Sequence, residues 1–139
     1  MSTYEGHVNP IVSGVLTHCN IVCSSNAHEG FYRNWTEAEN PHCLVALERD
    51  IIRPHTPDQD EHRIYIRVKL QVLGTGNSNT DARSVRNLVG LIEDRLHADN
   101  QLSGACCWIT TEEISFPPVV EEGLAWWGSE IVLQAYKTW

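Results

Sequence analysis

The sequence predicts an α+β fold: a mostly antiparallel β-sheet, with a major helix at about residues 79–97 and an N-terminal helix packed on one face. Three observations carry this reading. In residues 63–73, Ile64, Ile66, Val68, Leu70 and Val72 alternate with Arg63, Tyr65, Arg67, Lys69 and Gln71, the period of a half-buried strand. In residues 79–97, Ala82, Val85, Leu88, Val89, Ile92 and Leu96 recur at spacings of three and four, which makes one apolar helical stripe able to lie on the strand's apolar face. Strand-like segments also follow one another directly as often as through a helix, which favours antiparallel pairing.

Taken in order, residues 1–8 are short and polar and read as a flexible arm. Asn9 and Pro10 offer an N-cap and a first helical residue, and Ile11, Val12, Val15, Leu16, Cys19 and Val22 keep helical spacing, though Gly14 and the β-branched residues weaken the helix. Residues 24–41 are punctuated by Gly30, Asn34, Asn40 and Pro41 but hold Phe31, Tyr32 and Trp35, so an ordered connection is expected. Residues 43–52 read as a strand ended by Arg53 and Pro54. The turn-rich, acidic stretch 53–62 then reads as the loop of a long hairpin.

Residues 74–80 break the second hairpin strand and supply several N-cap candidates, with Asp81 in the first turn where the helix dipole favours it. Residues 98–104 end the helix, and 105–116 form another strand closed by Pro117 and Pro118. Glu121, Glu122 and Gly123 read as a turn, and 124–137 as the last strand.

A chain of 139 residues, 42% hydrophobic and 20% charged, suits a single domain over 1–139 with a real core. No apolar run is long enough to span a bilayer, and no secretory signal is expected, so no membrane association is predicted. A net charge of -8 argues against a protein whose task is gripping nucleic acid through its phosphates. It suits a soluble surface, or a wall that should not retain DNA.

Chemistry is thinly signalled. Cys19, Cys23, Cys43, Cys106 and Cys107 are an odd number at irregular spacings, better read as reduced thiols than as a disulfide framework. His18, Cys19, Cys23, His28, His42 and Cys43 form the densest metal-ligand group, yet only Cys19 and Cys23 have a zinc-like spacing, and no cofactor is expected. No nucleophile-elbow pattern is present. Gly74 and Gly76 lack the third glycine of a dinucleotide loop and the lysine of a P-loop, so turn chemistry accounts for them. The pairs Glu112–Glu113 and Glu121–Glu122 alternate faces or sit in a turn, as solvated charge does.

Aromatic residues stand out instead: Trp108, Trp126, Trp127 and Trp139 all lie in the final third. Consecutive Trp126 and Trp127 cannot both face one core, and tryptophan serves both cores and interface hot spots. The interface candidates are Trp126, Trp127 and Trp139, the charged strand face of Arg63, Arg67 and Lys69, and the hairpin-loop residues His55, Asp58 and Asp60. Polar loops on a rigid scaffold often contact partners, and a loop that is merely solvated is the alternative.

Residues 41–139 carry a resemblance. The strand Cys43, Leu44, Val45, Ala46, Leu47, the long strand 63–73 and the helix 81–96 are followed by Asn100, Gln101, Leu102, Ser103 and Gly104 before the next strand. Thr110, Thr111, Glu112 and Glu113 lie within that strand, and Ile131, Val132, Leu133, Gln134, Ala135 and Tyr136 close the pattern. This order resembles the tail terminator proteins of long-tailed bacteriophages, the minor tail protein U type. The resemblance implies a non-enzymatic virion protein of the tail or neck, assembled in the host cytoplasm. It implies a homo-hexameric ring that caps the tail tube, stops its polymerisation and presents the surface that joins the head. The implied partners are other copies of the chain, the tail tube protein and head–tail connector or neck proteins, with DNA passing through the lumen without specific binding. Another neck or tail ring component, such as a head-completion, connector or tube subunit, is the alternative within that setting. A small metal- or thiol-dependent enzyme is the alternative from a different class.

Overall fold

In the computed structural model, which describes residues 3–117 and 126–139, two helices cover one face of a five-stranded sheet. The elements are α1 (Tyr4–Val22), β1 (Ala27–Glu29), β2 (His42–Thr56), β3 (Gln59–Leu73), α2 (Ser78–Ala98), a 3-10 turn (Leu102–Gly104), β4 (Trp108–Ser115) and β5 (Trp126–Thr138). The strand order is β1-β2-β3-β5-β4, antiparallel except for the short β1–β2 pair. The fold is therefore α+β with a mostly antiparallel sheet.

The alternation in β3 decides which side is core. Ile64, Ile66, Val68 and Leu70 are fully buried and meet Cys43 and Val45 of β2, Ile131, Leu133 and Ala135 of β5, Val85, Val89, Ile92 and Leu96 of α2, and Ile11, Val12, Val15 and Cys19 of α1. Burying each such aliphatic side chain contributes about 1.5–3 kcal/mol, so this single layer supplies the dominant stabilising term. Helix α2 starts where the sequence predicts. Asn77 caps it by accepting from the Thr80 amide, and the buried Asp81 carboxylate accepts from the Thr75 amide and hydroxyl.

Helix α1 begins a turn and a half earlier than Asn9–Pro10 suggests. Thr3 is the N-cap, accepting from the Gly6 amide, and Pro10 lies inside the helix. Residues 4–8 are thus helical rather than a loose arm, because Val8 is buried in the core and extending the helix is what buries it. Gly14 is explained by packing: a Cβ there would stand 3.1 Å from the Leu102 side chain, so its absence lets the 3-10 turn dock on α1.

The hairpin also differs from expectation. Its strands run to Thr56 and from Gln59, with Arg53 opposite Glu61 and Pro54 opposite Asp60, so 53–62 is mostly paired and Pro57 and Asp58 alone make the turn. Pro54 is tolerated because, among the described residues, β2 has a strand on its outer side only at Cys43–Val45, and a proline can sit on an unpaired edge. The connection 24–41 contains β1, whose three residues pair with Cys43, Leu44 and Val45. The strand expected over 105–116 is β4, shorter at both ends, and the last strand runs from Trp126 to Thr138. The expected stop at Pro118, the turn at Glu121, Glu122 and Gly123, and the strand start at Leu124 lie outside the described residues.

Candidate interface on the open face of the sheet

Strand geometry sends the odd-numbered residues of β3 to the side away from the helices, where a ladder of ion pairs and aromatic contacts forms. Arg67 lies at its centre: one guanidinium nitrogen is 2.6 Å from Glu130 of β5 and the other 2.9 Å from Glu48 of β2. These two carboxylates, Glu48 first, hold the Arg67 guanidinium more firmly charged than usual. Arg63 donates to Glu61 at 2.9 Å and to Gln134 at 3.2 Å, and its guanidinium lies over the Tyr136 ring. Hydrogen bonding from Arg63 keeps the Glu61 carboxyl below the usual range. Tyr136 in turn stacks on Trp108 with centroids 4.2 Å apart, and Arg49 lies over Tyr65. Lys69 is exposed and lines a recess of about 220 Å³ with Phe31, Leu44, Ala46, Arg67 and Glu130.

The expected interface residues therefore divide. Arg63, Arg67 and Lys69 share this open face, as their parity predicts. Trp126 and Trp127 point to opposite sides. Trp126 is tilted against His42, which stacks on Trp35 at 3.7 Å, donates from Nδ1 to the Glu39 carbonyl and pairs through Nε2 with the Gln71 side-chain amide. Trp127 lies opposite Val72 and packs against the core, where it lines a hollow of about 510 Å³ with Ala82, Val85, Arg86, Phe116, Pro117 and Gly128.

Trp139 folds back on its own chain. Its ring stacks on His62 at 3.3 Å and on His7 at 4.5 Å, with Tyr4 at 6.0 Å, and its backbone exchanges two hydrogen bonds with Asp60. Asp60 is thus engaged through its backbone, while His55 and Asp58 are exposed on the hairpin.

Sequence reasoning missed the group beneath Trp139. His62 occupies a core-parity position of β3 and is buried, with Nδ1 2.7 Å from Asp50 Oδ2. A histidine in phase with Ile64, Ile66 and Val68 was the available signal, since a buried polar ring requires a partner. Asp50 Oδ1 is buried with no hydrogen-bond partner among the described residues. Burial, and then the Asp50 charge, push the Tyr4 phenol up to about 12.

Four of the five thiols are buried, and Cys107 is exposed. Cys23 and Cys43 sulfurs are 3.2 Å apart in the core, and hydrogen bonding with Cys19 and Cys23, together with burial, raises the Cys43 thiol well above its ordinary value. Burial pushes Cys106 up to about 11. Both shifts run opposite to the one that activates a cysteine as a nucleophile, so Cys43 and Cys106 are core thiols. Among the described residues no group of three or more His, Cys, Asp or Glu side chains is placed to hold a metal ion, and no helix is long and apolar enough to cross a membrane. No family model matches the chain, and no curated protein matches it.

Proposed function

We propose that this chain is a structural virion protein, a tail terminator: it forms a homo-hexameric ring that caps the tail tube, stops tube polymerisation and presents the surface that joins the head through the neck proteins. The observation that carries the reading is the sheet itself. Helices cover one face, and the other bears a ladder of arginines, carboxylates and stacked aromatics. Among the described residues, β4 has no strand on its outer side and β2 has one only at Cys43–Val45. Such edges are either blunted by charge, proline and bulges or covered by another element, and a neighbouring copy of complementary charge is a cover that fits here. The net charge of -8 suits a passage that DNA traverses without being held. The element order of residues 41–139 adds the resemblance to tail terminators.

The test is to mix purified chain with growing tail tubes and image them by electron microscopy. A terminator seats a ring on tube ends and arrests elongation. A tube subunit would polymerise into tubes by itself, and a connector would bind the head vertex instead. A chain that stays monomeric and never binds tube ends would contradict all three.

A further inference from the structure

We propose that the ring closes by strand addition: the open edge of β2 in one copy pairs antiparallel with the open edge of β4 in the next. This rests on the ring reading above and assigns the surfaces that make the ring. Three observations point to these two edges and to a second copy as the occupant.

The first is strand direction. β2 is antiparallel to β3, β3 to β5, and β5 to β4, so β2 and β4 run in opposite senses. A neighbour turned about an axis roughly along the strands therefore presents β2 to β4 as an antiparallel pair, continuing the alternation already in the sheet.

The second is availability. Among the described residues β2 is paired on its outer side only at Cys43–Val45, which leaves residues 46–53 open before Pro54. On β4 the Ile109 amide is taken by the Asn100 carbonyl at 2.7 Å, which leaves residues 110–115. The two stretches are similar in length, and each carries one bulge, at Leu47/Arg49 and at Thr111/Glu113.

The third is charge. Arg49 and Arg53 of β2 lie opposite Tyr65 and Glu61, so both are on the helix-free face, and neither forms an ion pair among the described residues. Glu113 of β4 lies opposite Val132 on that same face, and Glu112 accepts there from Gln134; neither carboxylate has an ion-pair partner among the described residues. A basic edge and an acidic edge each repel a copy of themselves and attract the other. The contact that survives is head to tail, and a head-to-tail contact closes into a ring when the rotation between copies closes, as the ring reading requires. The same charges explain how exposed edges avoid indiscriminate pairing.

The experiment uses two full-length variants, R49E/R53E and E112K/E113K, with mass read by size exclusion and light scattering and folding by circular dichroism. Each variant alone is expected to lose at least tenfold of its assembled fraction while keeping the wild-type spectrum. An equal mixture is expected to recover rings, because alternating copies again set an acidic edge against a basic one at every junction. If a charge-reversed chain does not fold, R49Q/R53Q and E112Q/E113Q replace the pair, with weakened assembly expected. Wild-type assembly by both variants, or a mixture of folded variants that stays monomeric, would overturn the edge contact and leave the ring reading standing. A wild-type chain that never assembles would overturn the ring reading, and the edge contact with it.

Discussion

On the helix side of β3, Ile64, Ile66, Val68 and Leu70 are fully buried in one apolar layer. On the other side, Arg63, Arg67 and Lys69 lie among Glu61, Glu48, Glu130 and Tyr136, with every charged group partly in water. The same strand thus serves two tasks with the same backbone. The apolar side gains from desolvation and specifies the subunit. The charged side gains little from its ion pairs, because exposed pairs contribute about 0–1 kcal/mol each, and so is available for recognition at small cost to folding.

Adjacent substitutions on β3 test that contrast most severely. Ile66→Ala is expected to cost about 2–5 kcal/mol in urea unfolding, from lost transfer free energy and the cavity left behind. Its neighbour Arg67→Ala, which removes two exposed ion pairs, is expected to cost at most about 2 kcal/mol. Comparable losses would show that the two faces are not energetically distinct.

Trp139 sharpens the comparison at the sheet's end. If its ring acts within the subunit, as the stacks on His62 and His7 indicate, Trp139→Ala should cost about 2 kcal/mol, since aromatic contacts contribute about 0.5–1.5 kcal/mol each beyond area burial. Unchanged stability with lost assembly would return it to the interface.

A smaller effect is expected in alkali. The Tyr4 phenol holds its proton more tightly folded than unfolded. Its contribution is therefore complete below its ordinary value of 10 and is lost as pH rises towards about 12. The fall in melting temperature over that window should be shallower in Tyr4→Phe.

The smallest effect is in weak acid. Burial lowers the His42 imidazole below its ordinary 6.5, so its contribution is complete above 6.5 and is lost as pH falls through the lower folded value. Below that value, tryptophan fluorescence should change as the Trp35–His42–Trp126 stack loosens, and His42→Gln should remove the pH dependence.

What was legible in the sequence follows from how local each signal is. β3 and α2 were readable because their burial repeats with a fixed period, and the helix-free side of β3 follows from the same parity. The start of α1 was not. Asn9 and Pro10 are a strong local cap signal, but the burial of Val8 and the stacking of His7 on Trp139 depend on residues at the far end of the chain. β1 is three residues long and exists only through its pairing with Cys43–Val45. Ending the first hairpin strand at Arg53 and Pro54, with 53–62 as loop, follows the local proline signal, because the sequence does not reveal that β2 has an open outer edge there. For the candidate interface, the parity of Arg63, Arg67 and Lys69 was visible. The partners Glu48 and Glu130 were not, because they come from two other strands whose register no single-strand pattern encodes.

The most direct measurement of the central claim is the mass and shape of the wild-type chain at assembly concentrations, by light scattering and cryo-electron microscopy. A closed six-fold ring, with the sheet continuous from one subunit to the next, is the predicted result. A monomer at every concentration and on every tube end would contradict it.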